Sequence, residues 1–301
     1  MRYHQSWYRR YVLNLPPGPN PSAHRACYGN MLYEDDGMAG WNFVTSKVHQ
    51  YAEARFSKDA THIEPGRLRN NLLSSQPMCF NLFASLALDL ELATRLVSAL
   101  PGLGHIKRVT AVELEYAPSP KKDYLNDGTS FDAWLEYEWG DNKKGFVAIE
   151  TKLTEPFTVS QNPFDDRYAK WMTMDGWWWK PGSEASYSDV SFNQLWRNHL
   201  LAFALLHNTA RTYSECFCAV VSHPLDTGCP GSISSYSEHL LPSGRESLLS
   251  WPLNSLIDTW QSLASNREER SWLQSLRLRY LELEASEAAW QQRSVGEKTN
   301  A

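Results

Sequence analysis

Gly145-Phe146-Val147-Ala148-Ile149-Glu150-Thr151-Lys152-Leu153-Thr154-Glu155 decides how the rest of the chain is read. An apolar β-run delivers a carboxylate, skips one residue and delivers a lysine. Side chains alternate along a strand, so Phe146, Ala148, Glu150 and Lys152 share one face and Val147, Ile149, Thr151 and Leu153 the other. An acid and an amine side by side in a run this apolar mean either a salt bridge or a metal site.

What faces the pair comes from the preceding strand, Phe131-Asp132-Ala133-Trp134-Leu135-Glu136-Tyr137, and from Gly140-Asp141-Asn142, which reads as a tight turn. A hairpin closed there sets positions summing to about 282 opposite each other and brings Asp132 beside Glu150. Two carboxylates that close repel unless a cation lies between them. Oxygen-only ligation favours Mg²⁺ or Mn²⁺ over zinc. Asp132 and Glu150 would hold the metal, with the backbone carbonyl of Thr151 as a further ligand. The metal would polarise a scissile phosphate and acidify a bound water. Lys152 would orient or deprotonate that water, or neutralise developing negative charge. The plainer alternative is that Lys152 only neutralises Glu150 or Asp132, and spacing by itself does not choose.

The surrounding elements supply context. Residues 1–70 read as an arm and a short amphipathic helix over Asn42–Phe56. A long helix is expected from Ser74 or Ser75, with Pro77 in its first turn, to Pro101-Gly102. Val109–Tyr116 alternates as a strand, with Glu113 and Glu115 on a face expected to be exposed. Residues 156–186 read as irregular, and a helix follows from about Asp189 to His207. Cys216–Ser222 reads as a central strand, residues 231–250 as a Ser-rich loop, and Trp251 to about Trp290 as helical with a break near Ser265-Asn266. The order is helix, three strands, helix, strand: a mixed α/β core at 71–225 of a single domain, followed by a loop and helical region at 226–301.

Asp132 followed by Glu150-Thr151-Lys152 on the next strand resembles the D…ExK signature of the PD-(D/E)XK nuclease superfamily. Asn71-Leu72-Leu73-Ser74-Ser75-Gln76 and Gln194-Leu195-Trp196-Arg197-Asn198-His199 are similar to a branch of restriction-endonuclease-like proteins. The resemblance spans roughly residues 30–222 and departs from the pattern at Phe131, where the family often has proline. It implies a restriction-endonuclease-like αβββαβ core with helical additions at both ends. It also implies Asp132, Glu150 and Lys152 as catalytic residues, and a nuclease cutting DNA, in restriction or defence. On the helix after the hairpin, Gln194 and Arg197 are expected to bind phosphate or water. Gln76 and Asn81, at the first helix, are read either as substrate contacts or as groups satisfying backbone donors.

Composition narrows the rest. The net charge of −5 argues against a basic coat protein. It leaves room for a second class of reading, a nuclease-fold DNA-binding or structural protein without turnover. A two-carboxylate glycosidase has no required role for the lysine. The five cysteines form no CxxC pairs, which excludes a zinc ribbon. The run Trp177-Trp178-Trp179, with Trp171, could stack on bases or pack over the sheet. His199 and His207 read as structural or surface residues. No phosphate-binding GxxxxGK[ST] loop and no apolar stretch of membrane-spanning length occurs. The expectation is a cytoplasmic protein with no nucleotide cofactor and no membrane partner, and a homodimer where both DNA strands are cut.

Overall fold

The hairpin closes in the register that the turn dictates. Trp139 pairs with Lys143, and every pair back to Ala133 with Ile149 sums to 282. Gly140 (φ 51°) and Asn142 (φ 59°) adopt the left-handed conformation that such a turn requires and that glycine and asparagine tolerate best. Gly145 answers a different need. A Cβ there would lie 2.6 Å from the Tyr137 ring.

The computed structural model describes residues 1–20, 26–157, 163–174, 177–188, 192–210 and 212–298. The chain divides into two compact units: Met1–Leu82 with Trp260–Ala301, and Phe83–Thr259.

The Phe83–Thr259 unit holds one mixed five-stranded sheet in the spatial order β1 (Ile106–Tyr116), β2 (Phe131–Trp139), β3 (Lys143–Lys152), β4 (Tyr213–Ser222) and β5 (Leu248–Pro252). β1, β2 and β3 are antiparallel, while β3, β4 and β5 are parallel. Parallel neighbours need crossovers. These are supplied by α2 (Asp166–Met172) and α3 (Asn193–Leu206) before β4, and by α4 (Gly228–Ser237) and α5 (Pro242–Glu246) before β5, with α1 (Leu90–Val97) preceding the sheet. The fold is thus mixed α/β. β3 lies mid-sheet and is buried without interruption from Gly145 to Lys152, as a strand covered on both faces must be. Over the face carrying Trp134, Phe146 and Ala148 packs an aromatic-rich core with Leu195, Trp196, Leu200 and Phe203 of α3. α3 is buried along nearly its whole length.

Four expectations need correction. Residues 156–186 are not irregular throughout, because α2 occupies Asp166–Met172. The long helix from Ser75 stops at Leu88, and α1 starts afresh at Leu90. The Asp89 carboxylate accepts the Glu91 and Leu92 N–H groups (3.0 and 2.9 Å), and this cap breaks the periodic run. Residues 231–250 are no loop, since they hold most of α4, all of α5 and the start of β5. Trp251 lies in β5, where an edge position tolerates Pro252. On β1 the alternation fails at Glu115. It adopts φ 51° and is buried, whereas Glu113 is exposed as expected. Asp189 falls outside the described residues, and α3 is described from Asn193.

In the other unit, helix Ser46–Lys58 is capped by Thr45 and helix Arg267–Tyr280 by Asn266, the latter at the expected break. Asn81 serves this unit's packing. Its side chain accepts the Val44 N–H (2.9 Å) and donates to the Asn42 carbonyl (3.2 Å) and the Tyr280 hydroxyl (2.9 Å).

Candidate active site

Three charged groups meet where the β2–β3 ladder ends. Beyond Ala133 and Ile149 no further pair continues the ladder. The Thr151 N–H and the Thr151 hydroxyl instead both donate to Oδ2 of Asp132, each at 2.7 Å. On β3, Nζ of Lys152 lies 2.8 Å from Oε1 of Glu150, and both side chains are almost fully buried.

α3 completes the arrangement. Gln194 donates through Nε2 to Oε1 of Glu150 (2.8 Å) and accepts from Nζ of Lys152 through its own Oε1 (3.0 Å). Asn198 donates through Nδ2 to Oε2 of Glu150 (2.7 Å). Both Glu150 oxygens are therefore met by donors, as buried polar oxygens require. Because α3 packs its length into the core, its polar residues have to find such partners. Lys152 also lies over the Phe157 ring (4.9 Å), and its carbonyl accepts the His223 N–H (3.1 Å).

The electrostatics separate the groups. Asp132 keeps some exposure as a residue, but enclosure of its carboxyl, together with repulsion from Glu150, pushes its pKa up to about 7. Lys152 and the Thr151 hydrogen bonds oppose that rise. Burial works against the Lys152 ammonium, yet Glu150, Asp132 and Glu155 together outweigh it and raise the pKa. Lys152 is held as a cation between Oε1 of Glu150 and Oε1 of Gln194. The Asp132 and Glu150 carboxylates lie close enough to repel each other, and paired carboxylate oxygens are the donors that a hard divalent cation takes. Among the described residues no cluster of three or more His, Cys, Asp or Glu side chains is arranged to hold a metal, so Asp132 and Glu150 would act as a pair.

One family profile matches nearly the whole chain. The profile of the PD-(D/E)XK nuclease superfamily matches residues 1–282. The chain belongs to the PD-(D/E)XK nuclease superfamily. No curated protein matches it, and no solved structure does.

The remaining site residues named from the sequence go to different places. Gln194 meets Glu150 and Lys152. Arg197 instead donates to Asn193 (3.2 Å) and to the Thr129 hydroxyl (2.7 Å), 3.7 Å from Asp127, and so braces the loop ahead of β2. Gln76 belongs to the other unit, where its amide bonds the His62 carbonyl (3.1 Å) and the Glu64 N–H (3.3 Å). Asn198 stands four residues after Gln194, so the two share one helical face, and this spacing is the signal in the sequence that places it at the site. Trp171, Trp178 and Trp179 are buried in the core, and Trp177 is exposed. His199 is buried between the Tyr236 hydroxyl (2.9 Å) and the Ser247 hydroxyl (2.8 Å), and burial pushes its pKa down to about 3. Among the described residues no helix is long and apolar enough to cross a membrane.

Proposed function

We propose that this superfamily member is a metal-dependent nuclease that hydrolyses DNA phosphodiester bonds, with Asp132, Glu150 and Lys152 as its catalytic residues and restriction or defence as its role. The observation that carries the reading is the meeting of these three groups at the end of the ladder, with Gln194 and Asn198 on Glu150. On this reading the run from α1 through β1, β2 and β3 to α3 and β4 is the αβββαβ core of restriction-endonuclease-like proteins.

Asp132, Glu150 and the Thr151 carbonyl would hold Mg²⁺ or Mn²⁺, which when bound supplies Lewis acidity toward the phosphate and its attacking water. The protein's own groups do the rest. Gln194 and Asn198 hold the Glu150 carboxylate in orientation. Lys152, held as an ammonium, offsets the negative charge that develops on the phosphate. Gln194, already bonded to Lys152, is the α3 residue best placed to meet water or phosphate. Arg197 acts at one remove, through the loop leading to Asp132. Cutting both strands would call for a homodimer. The five free thiols fit a reducing cytoplasm.

The test is incubation of purified protein with plasmid, linear and single-stranded DNA plus Mg²⁺ or Mn²⁺, beside Asp132→Ala and Lys152→Ala. Metal-dependent cutting that both substitutions abolish is expected. Cutting that survives both would sink the assignment. The rival reading, a silent DNA-binding or structural protein, draws on the Lys152–Glu150 contact as simple charge neutralisation. It predicts metal-independent DNA binding with no cleavage.

A further inference from the structure

Thr151 has an undemanding place in the signature, between the acid and the lysine, and alternation assigns its side chain to the face opposite Glu150. The geometry gives that side chain a specific partner. The Thr151 amide and hydroxyl both donate to Oδ2 of Asp132 at 2.7 Å, with Thr151 fully buried. The backbone pairing of β2 with β3 ends at Ala133 and Ile149, one residue short of Asp132 and two short of Thr151. The Asp132 carboxylate thus takes over the Thr151 N–H that a continuing ladder could have used, and the hydroxyl adds a second donor to the same oxygen.

We infer that Thr151 is a positioning residue, whose hydroxyl, acting with its amide, fixes the orientation of the Asp132 carboxylate at the metal site. The inference rests on Asp132 as a metal ligand. Two donors on one oxygen constrain both the torsion and the tilt of the carboxylate, where a single amide leaves rotation about its own axis. In the sequence this role separates threonine and serine from every apolar residue at position 151. Valine matches the shape of threonine and keeps the amide and the carbonyl, but lacks the donor.

The test compares wild type with Thr151→Val, Thr151→Ser and Asp132→Asn by Mn²⁺ calorimetry, and by crystal structures of the metal-free proteins. Thr151→Val is expected to bind Mn²⁺ about 10–100-fold more weakly, with Asp132 in a changed rotamer. Thr151→Ser should restore both the affinity and the rotamer. A lower kcat at unchanged KM for Thr151→Val would agree. Thr151→Ala replaces the valine variant should that one not fold. Wild-type affinity together with an unmoved Asp132 in Thr151→Val overturns the inference. Undiminished Mn²⁺ binding by Asp132→Asn overturns the ligand assignment instead, while the Thr151→Val crystal structure still decides whether the hydroxyl holds the carboxylate.

Discussion

Nζ of Lys152 and Oε1 of Glu150 lie 2.8 Å apart with side chains only 6% and 4% exposed, so each charge in the core of the sheet depends on the other. Losing one partner strands its neighbour. Lys152→Met should destabilise the fold by about 2–4 kcal/mol, below the upper end for a broken buried pair because Gln194 and Asn198 still solvate Glu150. The double variant Glu150→Gln with Lys152→Met should cost clearly less than the sum of the two singles. Urea unfolding of the four proteins measures this coupling. Additive losses would mean that the contact contributes nothing of its own.

Asn198 and Arg197 are adjacent on α3 but serve different partners. Asn198→Ala leaves Oε2 of Glu150 without its amide donor and should cost about 1–3 kcal/mol. Mn²⁺ binding should weaken by about tenfold. Arg197→Lys should retain metal binding and instead loosen the loop held through Thr129. Calorimetry together with hydrogen exchange at residues 127–130 separates the two.

The pH response carries opposite contributions that single substitutions can unmask. Asp132 has a folded pKa of about 7 against an ordinary 3.8, so between these values the native state binds more protons than the unfolded chain, and stability falls as pH rises. His199, at about 3 against 6.5, does the reverse: the unfolded chain takes up the proton first, and stability is lost as pH falls below 6.5. Each contributes a slope of up to about 1.4 kcal/mol per pH unit, and the two offset each other between roughly pH 4 and 6.5. Metal-free Asp132→Asn should therefore gain stability steadily as pH rises through this window, and His199→Gln should lose it. Equal slopes in both variants, read from denaturant midpoints, would contradict the assignment.

Metal binding should draw on the same proton. A carboxyl with a pKa of about 7 must lose its remaining proton to serve as a ligand, so Mn²⁺ affinity should rise with pH through about 7 and then level off. Calorimetry in buffers of different ionisation enthalpy should count up to one proton released per ion, and none in Asp132→Asn.

In the unit formed by the two ends of the chain, Arg279 is fully buried. Its guanidinium donates to the carbonyl and the side-chain oxygen of Asn42 and lies 5.7 and 5.2 Å from the rings of Tyr8 and Tyr280. A planar fork fits this setting and an ammonium does not. Arg279→Lys should lower stability by about 2 kcal/mol, measurable as a reduced thermal midpoint.

The sequence by itself determined what depends on neighbours along the chain. Gly140 and Asn142 fix the turn, the turn fixes the register, and the register brings Asp132 to Glu150 before any long-range contact is known. The helical spacing of the Gln194 segment is equally local, and the break at Asn266 follows from its cap. Tertiary structure decided what local pattern leaves degenerate. Leu248–Pro252 is a strand only because β4 offers it a parallel edge. Glu115 alternates like Glu113 in sequence, and only a left-handed backbone on β1 turns it into the interior. Gln194, Arg197 and Asn198 are all polar residues of one buried helix, and the packing angle of α3 on the sheet decides which of them reach Glu150. The same holds at the feature that governs the site. A strand pattern sends Thr151 away from Glu150, but where the ladder stops, its hydroxyl and amide are taken by Asp132 because a buried carboxylate must find donors.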